Sequence, residues 1–224
     1  MRKNEIRIER QRHRIEENKR YILKAAEKVF AKKGYSLTTV DGIAEEAQFS
    51  KATLYRYFKS KSEIFFEIVI SSFEDVHHKV NKIQQMESSA EEKLRELIFY
   101  VSSFYHKKRN LARILMMERS VMKKVFNLDS KDQLFPSSHH PKIPTILRSR
   151  MEDIFNIMCE IIHEGIESRE FRKVDVRDAC FVLGAMIRGF HFRGPMRDKE
   201  YSVSESTDLL HSFFLEGIKK ERKT

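Results

Sequence analysis

Lys51, Thr53, Tyr55, Arg56, Tyr57, Lys59 and Lys61 crowd into one short stretch, 51–61, in which Leu54 and Phe58 are the apolar residues at helical spacing. If 51–58 is a helix with Leu54 and Phe58 turned inward, its outer side carries cations, hydroxyls and two aromatic rings. Lysine and arginine donate to base edges and phosphate oxygens, and hydroxyls add neutral contacts to the backbone of a duplex. A purely structural hairpin needs no such cluster, and two tyrosines flanking Arg56 on an outer face imply a contact to be made. Catalytic chemistry has no comparable signature here: the chain lacks a nucleophile elbow, a phosphate-cradling glycine loop and a paired metal motif. The pattern implies a binding protein, not an enzyme, and implies no cofactor.

Short helices must position these residues. Ser50 is an N-cap candidate just past Gln48 and Phe49, and Thr39 is another, ahead of Val40, Ile43, Ala44 and Ala47 at i, i+3, i+4 and i+7. Upstream, Ile22, Ala26, Val29 and Phe30 share a helical face that ends at Gly34, where a left-handed residue closes the helix. Downstream, Ser60 and Glu63 have capping-box spacing and open an apolar run through Ile64, Phe65, Ile68, Val69 and Phe73. Four helices therefore fit between Asn18 and Val80. The two-turn helix, tight turn and second capped helix at about 39–58 form a helix-turn-helix, whose second helix projects its first residues into a major groove.

Charge agrees with this placement. The net charge is +10, yet residues 1–62 hold 16 Lys and Arg against 8 Asp and Glu, so +8 of it lies there. A concentrated excess of base is the footprint of a surface that meets phosphates. Residues 1–17 mix Arg and Glu without a clean apolar stripe and read as a flexible or partly helical basic arm, either solvated or resting on phosphates.

The ordered set Ile22-Leu23-Lys24-Ala25-Ala26, Phe30-Ala31-Lys32-Lys33-Gly34-Tyr35, Thr38-Thr39-Val40, Ile43-Ala44-Glu45-Glu46-Ala47, Ser50-Lys51-Ala52-Thr53-Leu54-Tyr55-Arg56-Tyr57-Phe58 and Lys61-Ser62-Glu63 resembles the TetR family of transcriptional regulators. The resemblance covers about residues 18–65 and implies that Thr39 and Lys61 lie near phosphates, that Tyr55 and Tyr57 touch the DNA backbone, and that Lys51, Ala52, Thr53 and Arg56 face bases. Two positions depart from the family pattern: Gln48 and Ala52 stand where the family usually has glycine. A left-handed Gln48 costs on the order of 1 kcal/mol, which a well-packed motif absorbs. The methyl of Ala52 either meets a thymine methyl or fills space.

The rest of the chain reads as helix. Gly and Pro are scarce, with 7 and 4 residues, and candidate helices run over 91–105, 110–126, 145–168, 176–192 and 204–220, broken by a loop at 127–144 and a Gly194-Pro195 turn. The expected fold is all-α: an arm over 1–17, an N-terminal helix-turn-helix three-helix domain over 18–65, and a larger helical regulatory and dimerisation domain over 66–224. The resemblance implies that the larger domain encloses a ligand pocket and that its last two helices pair across a two-fold axis. For the pocket, Phe104, Met117, Phe155, Met158 and Phe181 are candidates, and adaptable methionine with flat aromatic walls suits an apolar or aromatic effector. For the interface, Leu183, Gly184, Met186, Phe190, Leu210, Phe213, Phe214 and Gly217 are candidates, unless the same stripe packs internally. Cys159 with His163, His77-His78 and His139-His140 supply ligands only in twos, so no metal is expected. No apolar run is long enough for a membrane span, and the first residues are charged where a signal peptide is apolar, which places the chain in the cytoplasm with reduced cysteines. The expected function is a homodimeric repressor that binds a palindromic operator in double-stranded DNA and is released by a small molecule. The alternatives are an effector-blind architectural or protein-interaction module with a solid core, and a helical enzyme with an incidental basic arm.

Overall fold

The structure, a computed structural model, describes residues 2–117, 145–192 and 199–218, with the side chains of 6–114, 146–192 and 199–218. Among them there is no strand; the helices are α1 (Arg2–Leu37), α2 (Val40–Ala47), α3 (Lys51–Tyr57), α4 (Lys61–Gln84), α5 (Ala90–Lys107), α6 (Arg109–Met117), α7 (Thr145–Glu167), α8 (Val176–His191) and α9 (Val203–Ile218). This is the all-α class that the composition predicts. The expected loop at 127–144, the second half of the helix expected at 110–126 and the Gly194-Pro195 turn lie outside the described residues.

The chain divides into two compact units. One holds the described residues of 1–71 and 110–144, the other those of 72–109 and 145–224, so the division falls within α4 between Ser71 and Ser72 and not at 65/66. Residues of α6 join the first unit because Leu111, Ala112 and Ile114 are buried and the Asn110 amide donates to the Ala31 carbonyl at 2.8 Å. The arm expected at 1–17 is also different. It is helical from Arg2 and continuous with the rest of α1. Good helix formers without Gly or Pro extend the helix, and Glu16 stands four residues from both Arg12 and Arg20.

In the first unit α1 breaks at Gly34 and resumes to Leu37. Gly34 has φ 72° and ψ 175°, a combination open essentially to glycine, and a Cβ there would meet nothing within 4 Å, so backbone conformation and not space requires it. The kink turns Tyr35 inward. Its ring stacks on Phe30 (5.7 Å, 6°), and Phe65 from α4 meets both edge-on at 5.1 and 5.2 Å. Ile22, Ile43 and Leu54 complete a core drawn from α1, α2, α3 and α4.

In the second unit α5 packs against α7, α8 and α9. Leu94, Leu97 and Ile98 of α5, Ile161 and Ile162 of α7, Cys180 and Leu183 of α8 and Leu210 and Phe214 of α9 are buried together with Val76, Val80 and Ile83. Two carboxylates pin the start of α5. Glu92 forms a capping box with Ser89, and Glu170 accepts the N–H groups of Ala90 (3.3 Å) and Glu91 (3.1 Å). Burial pushes the Glu170 carboxyl up, but those N–H donors, the Ser168 hydroxyl and the charge of Lys93 hold it below the usual carboxylate range. Lys93, itself buried, donates to both oxygens of Glu164 at 2.7 and 2.9 Å.

Gly165 of α7 lies under the ring of Phe171, which is 2 % exposed; a Cβ on Gly165 would fall 2.2 Å from a ring carbon. Gly165→Ala should therefore lower the free energy of unfolding by about 1–2 kcal/mol, the cost of overpacking less the better helix propensity of alanine. Chemical denaturation checks this, and an unchanged or raised midpoint rules out the close approach.

Candidate nucleic-acid interface

Local hydrogen bonds build the helix-turn-helix. Thr39 caps α2 by accepting the Gly42 N–H at 3.1 Å, and Ser50 caps α3 by accepting that of Thr53 at 3.1 Å. Between them Gln48 takes the left-handed conformation (φ 56°, ψ 37°), with its N–H returning to Glu45 and that of Phe49 to Ala44. A non-glycine residue thus makes the tight turn, as its position requires. Leu54 and Phe58, 1 and 4 % exposed, anchor α3 inward. Ser60 accepts the Glu63 N–H at 3.1 Å, while the Glu63 carboxylate reaches back to the N–H of Lys59 and not of Ser60, so the expected capping box closes one residue early.

The outer side of α3 is the chemically active one. Lys51, Ala52, Tyr55 and Arg56 are exposed, Thr53 and Tyr57 are half-buried, and Thr39 is exposed at the start of α2. The Lys51 ammonium pairs with Asp41 at 2.9 Å; the hydrogen bond, then the charge of Asp41, raises its pKa above the ordinary value. The Arg56 guanidinium lies 5.7 Å from the centre of the Tyr57 ring. The Tyr57 hydroxyl accepts a hydrogen bond from Asn18 of α1 at 2.8 Å, which lowers its pKa, helped by Arg56 and Arg14 and opposed by slight burial.

Seven of the eight candidate DNA contacts, Thr39, Lys51, Ala52, Thr53, Tyr55, Arg56 and Tyr57, thus surround one capped helix. Lys61 is placed differently. Its ammonium donates to the carbonyls of Tyr35 (2.9 Å) and Thr38 (2.7 Å) and lies 4.5 Å from the centre of the Tyr35 ring. Asn18 was absent from the sequence-based set; a polar residue one turn before the apolar face of α1 carries no distinguishing pattern.

Comparison with known proteins is consistent with this geometry. Residues 22–68 match the model of the bacterial regulatory proteins of the tetR family. That segment is a DNA-binding domain of the TetR family. The chain is 24 % identical over 206 residues to the uncharacterized HTH-type transcriptional regulator YhgD of Bacillus subtilis (strain 168), a match that spans 90 % of this chain and 97 % of that one. Its fold is shared with the transcriptional regulator FadR from Bacillus subtilis in complex with stearoyl-CoA (TM-score 0.67, 24 % identity, 88 % of this chain and 97 % of that one). It is also shared with AibR in complex with isovaleryl coenzyme A and operator DNA (TM-score 0.64, 16 % identity, 88 and 97 %). The chain that carries this domain is a DNA-binding transcriptional regulator.

The second unit rearranges the remaining candidates. Of the expected pocket residues, Met158 is buried in the core, Phe104 and Phe155 are half-buried, and Met117 lies outside the described side chains. Phe181 is 66 % exposed, because Cys180, Leu183 and Ile187 take the inner face of α8 and turn it outward. Among the described residues, a cleft of about 240 Å³ is lined by Tyr105, Arg109, Phe190, His191, Glu200 and Tyr201 among others, and by none of these candidates. Tyr105 stacks on His191 at 5.3 Å, and burial pushes its hydroxyl up against the opposing charge of Arg188.

The expected interface stripe also divides. Leu183, Leu210 and Phe214 belong to the core of the unit itself, Phe190 lines the cleft, and Met186 is half-buried against that core. Phe213 is 63 % exposed, and Gly184 and Gly217 lie on partly or fully open backbone. The outward apolar residues of the two helices are instead Phe181 and Val182 on α8 and Phe213 on α9. Periodicity marks both sides of such helices as apolar, and only packing separates them. Among the described residues no three His, Cys, Asp or Glu side chains group as a metal site would need, and no helix is long and apolar enough to cross a membrane. His139 and His140 lie outside the described residues.

Replacing Asn18 by Ala should move the Tyr57 phenol back up towards its ordinary range. The readout is the high-pH absorbance transition, taken as the difference between each protein and its Tyr57→Phe counterpart; an identical transition with and without Asn18 contradicts the assigned cause.

Proposed function

We propose that the chain is a homodimeric repressor that reads a palindromic operator through α3 and is released by a small-molecule effector. The observation that carries this reading is the capped α3, whose inward side is filled by Leu54 and Phe58 and whose outward side presents Lys51, Thr53, Tyr55 and Arg56. Lys51, Ala52, Thr53 and Arg56 face bases; Thr39, Tyr55 and Tyr57 meet the phosphate backbone, and Lys61 holds the start of α4 beside it. A seven-residue helix contacts only a few base pairs, so specificity calls for two copies on successive major grooves.

The outward Phe181, Val182 and Phe213 supply the pairing surface, with Gly184 and Gly217 allowing close approach of backbones. An effector fits the cleft in the second unit, whose rings Tyr105, Phe190 and Tyr201 suit a flat portion of a ligand while Arg109, His106 and Glu200 beside them call for polar groups on it as well. The presence of such a cleft favours an effector-responsive protein over a solid-cored module. That the same fold holds an acyl-CoA in FadR, and an acyl-CoA with operator DNA in AibR, supports the assignment of one unit to DNA and the other to a ligand. The effector then acts by shifting the population towards a spacing of the two α3 helices that no longer matches the grooves.

Two sets of variants test the reading on DNA selected by the protein from a random duplex library. Arg56→Ala should cost about 1–3 kcal/mol on the selected sequence and relax the preference at one position, as expected for a base contact. Tyr55→Ala should weaken binding to all duplexes alike. If both leave the titration curves unchanged, α3 is not the reading helix. Separately, the Phe181→Glu, Phe213→Glu double variant should sediment as a monomer and lose operator affinity by more than tenfold while keeping its helical circular dichroism; a dimer retained at micromolar concentration places the interface elsewhere.

A further inference from the structure

The first four turns of α1 are unusual in having no protein to pack on. Every described side chain from Ile6 to Glu17 is exposed, so the segment makes no core, and an isolated stretch of this length is marginal as a helix in water. Three of its arginines nevertheless share a face. Arg7, Arg10 and Arg14 fall at i, i+3 and i+7 on one ridge, whereas Glu9 and Glu16 each follow a ridge arginine by two residues, about 200° round the helix. The ridge ends one turn further on at Asn18, whose amide donates to the Tyr57 hydroxyl of α3 at 2.8 Å. Arg14 is close enough for its charge to act on that hydroxyl. The basic side of the helix therefore continues directly from the end of the reading helix.

From this continuity we infer that the N-terminal part of α1 is a second DNA-contacting element, in which Arg7, Arg10 and Arg14 lie along the phosphates flanking the site read by α3. The partner is the sugar-phosphate backbone and not a base edge. From Arg7 to Arg14 the helix rises about 10 Å, comparable with three phosphates of one strand at about 3.4 Å each along the duplex axis. Glu9 and Glu16 then face away from the duplex, which avoids like-charge repulsion, and Glu17, on the side of the ridge, stands at its inner end beside Asn18 and beyond the three arginines. The inference rests on the assignment of α3 as the reading helix.

The test compares the full chain with Arg7→Gln, Arg10→Gln, Arg14→Gln and with a control triple, Arg12→Gln, Lys19→Gln, Arg20→Gln, which removes the same charge from other faces. Affinity for the selected duplex is measured from low to physiological salt, alongside a hydroxyl-radical footprint. Three lost phosphate contacts at about 0.9 each should reduce the slope of log affinity against log salt by about 2.7 per bound protomer. The footprint should contract at both outer edges, base preference should stay unchanged, and the control triple should lose less than half as much slope. Equal losses in the two triples, an unchanged slope, or a change in oligomeric state in place of the slope would overturn the inference while leaving α3 as the reading helix. Failure of the unaltered chain to bind any duplex would overturn both.

Discussion

The DNA-binding unit is held closed by one ammonium. After the kink at Gly34, α1 ends in carbonyls that point towards the start of α4, and the Lys61 side chain satisfies those of Tyr35 and Thr38 while lying over the Tyr35 ring. The Tyr35 hydroxyl shares a hydrogen bond with Ser62 at 2.7 Å, and its ring joins Phe30 and Phe65 in the core. One cation therefore ties the end of α1, the approach to α2 and the start of α4. A lysine committed in this way orients the outer residues, and leaves surface contacts to side chains that are not tied into the fold.

The polar contacts of α3 divide accordingly into those that shape it and those that are exchangeable. The caps at Thr39 and Ser50 and the anchors Leu54 and Phe58 fix the direction of the helix. By contrast the Lys51–Asp41 pair is fully exposed, and such pairs are worth little in water. Giving up Asp41 for a base edge or phosphate costs the lysine little, and meanwhile the pair keeps its side chain extended along the reading face. Arg56 resting near the Tyr57 ring is held in the same way without being buried. The reading surface is thus preorganised by weak contacts on a strongly fixed helix.

What was legible in the sequence follows from where the information is local. Thr39, Ser50 and Ser60 marked three helix starts because capping needs only the next three residues, and Gln48 was placed in a left-handed turn by the resemblance, standing where the family usually has glycine. The capping box at Ser89 and Glu92 has the same local signature, but the expected helix began at 91 and did not use it; the second clamp on α5, from Glu170, has none, since its partners lie 79 and 80 residues away. The helicity of residues 2–17 was hidden because its order is in charge, not in apolar periodicity. The candidates on α8 and α9 are divided by packing in a more instructive way. Cys180, Leu183 and Ile187 are spaced as a core face, yet Phe181 and Val182 beside them are equally apolar, and nothing local says which side meets α5.

That ambiguity carries information of its own. A helix that packs only inward presents polar residues on its other side. On α8 and α9 the inner faces are already complete with Leu183, Ile187, Leu210 and Phe214, so Phe181 and Phe213, each more than 60 % exposed, contribute nothing to the stability of the unit that carries them. Large aromatic residues left on two neighbouring helices are a cost in solubility unless something covers them. A second copy is the partner that also answers the need of a seven-residue reading helix for a second half-site. In the proposed homodimer, the same residues that blur the sequence-based distinction between core and interface are those through which two weak DNA contacts become one specific one.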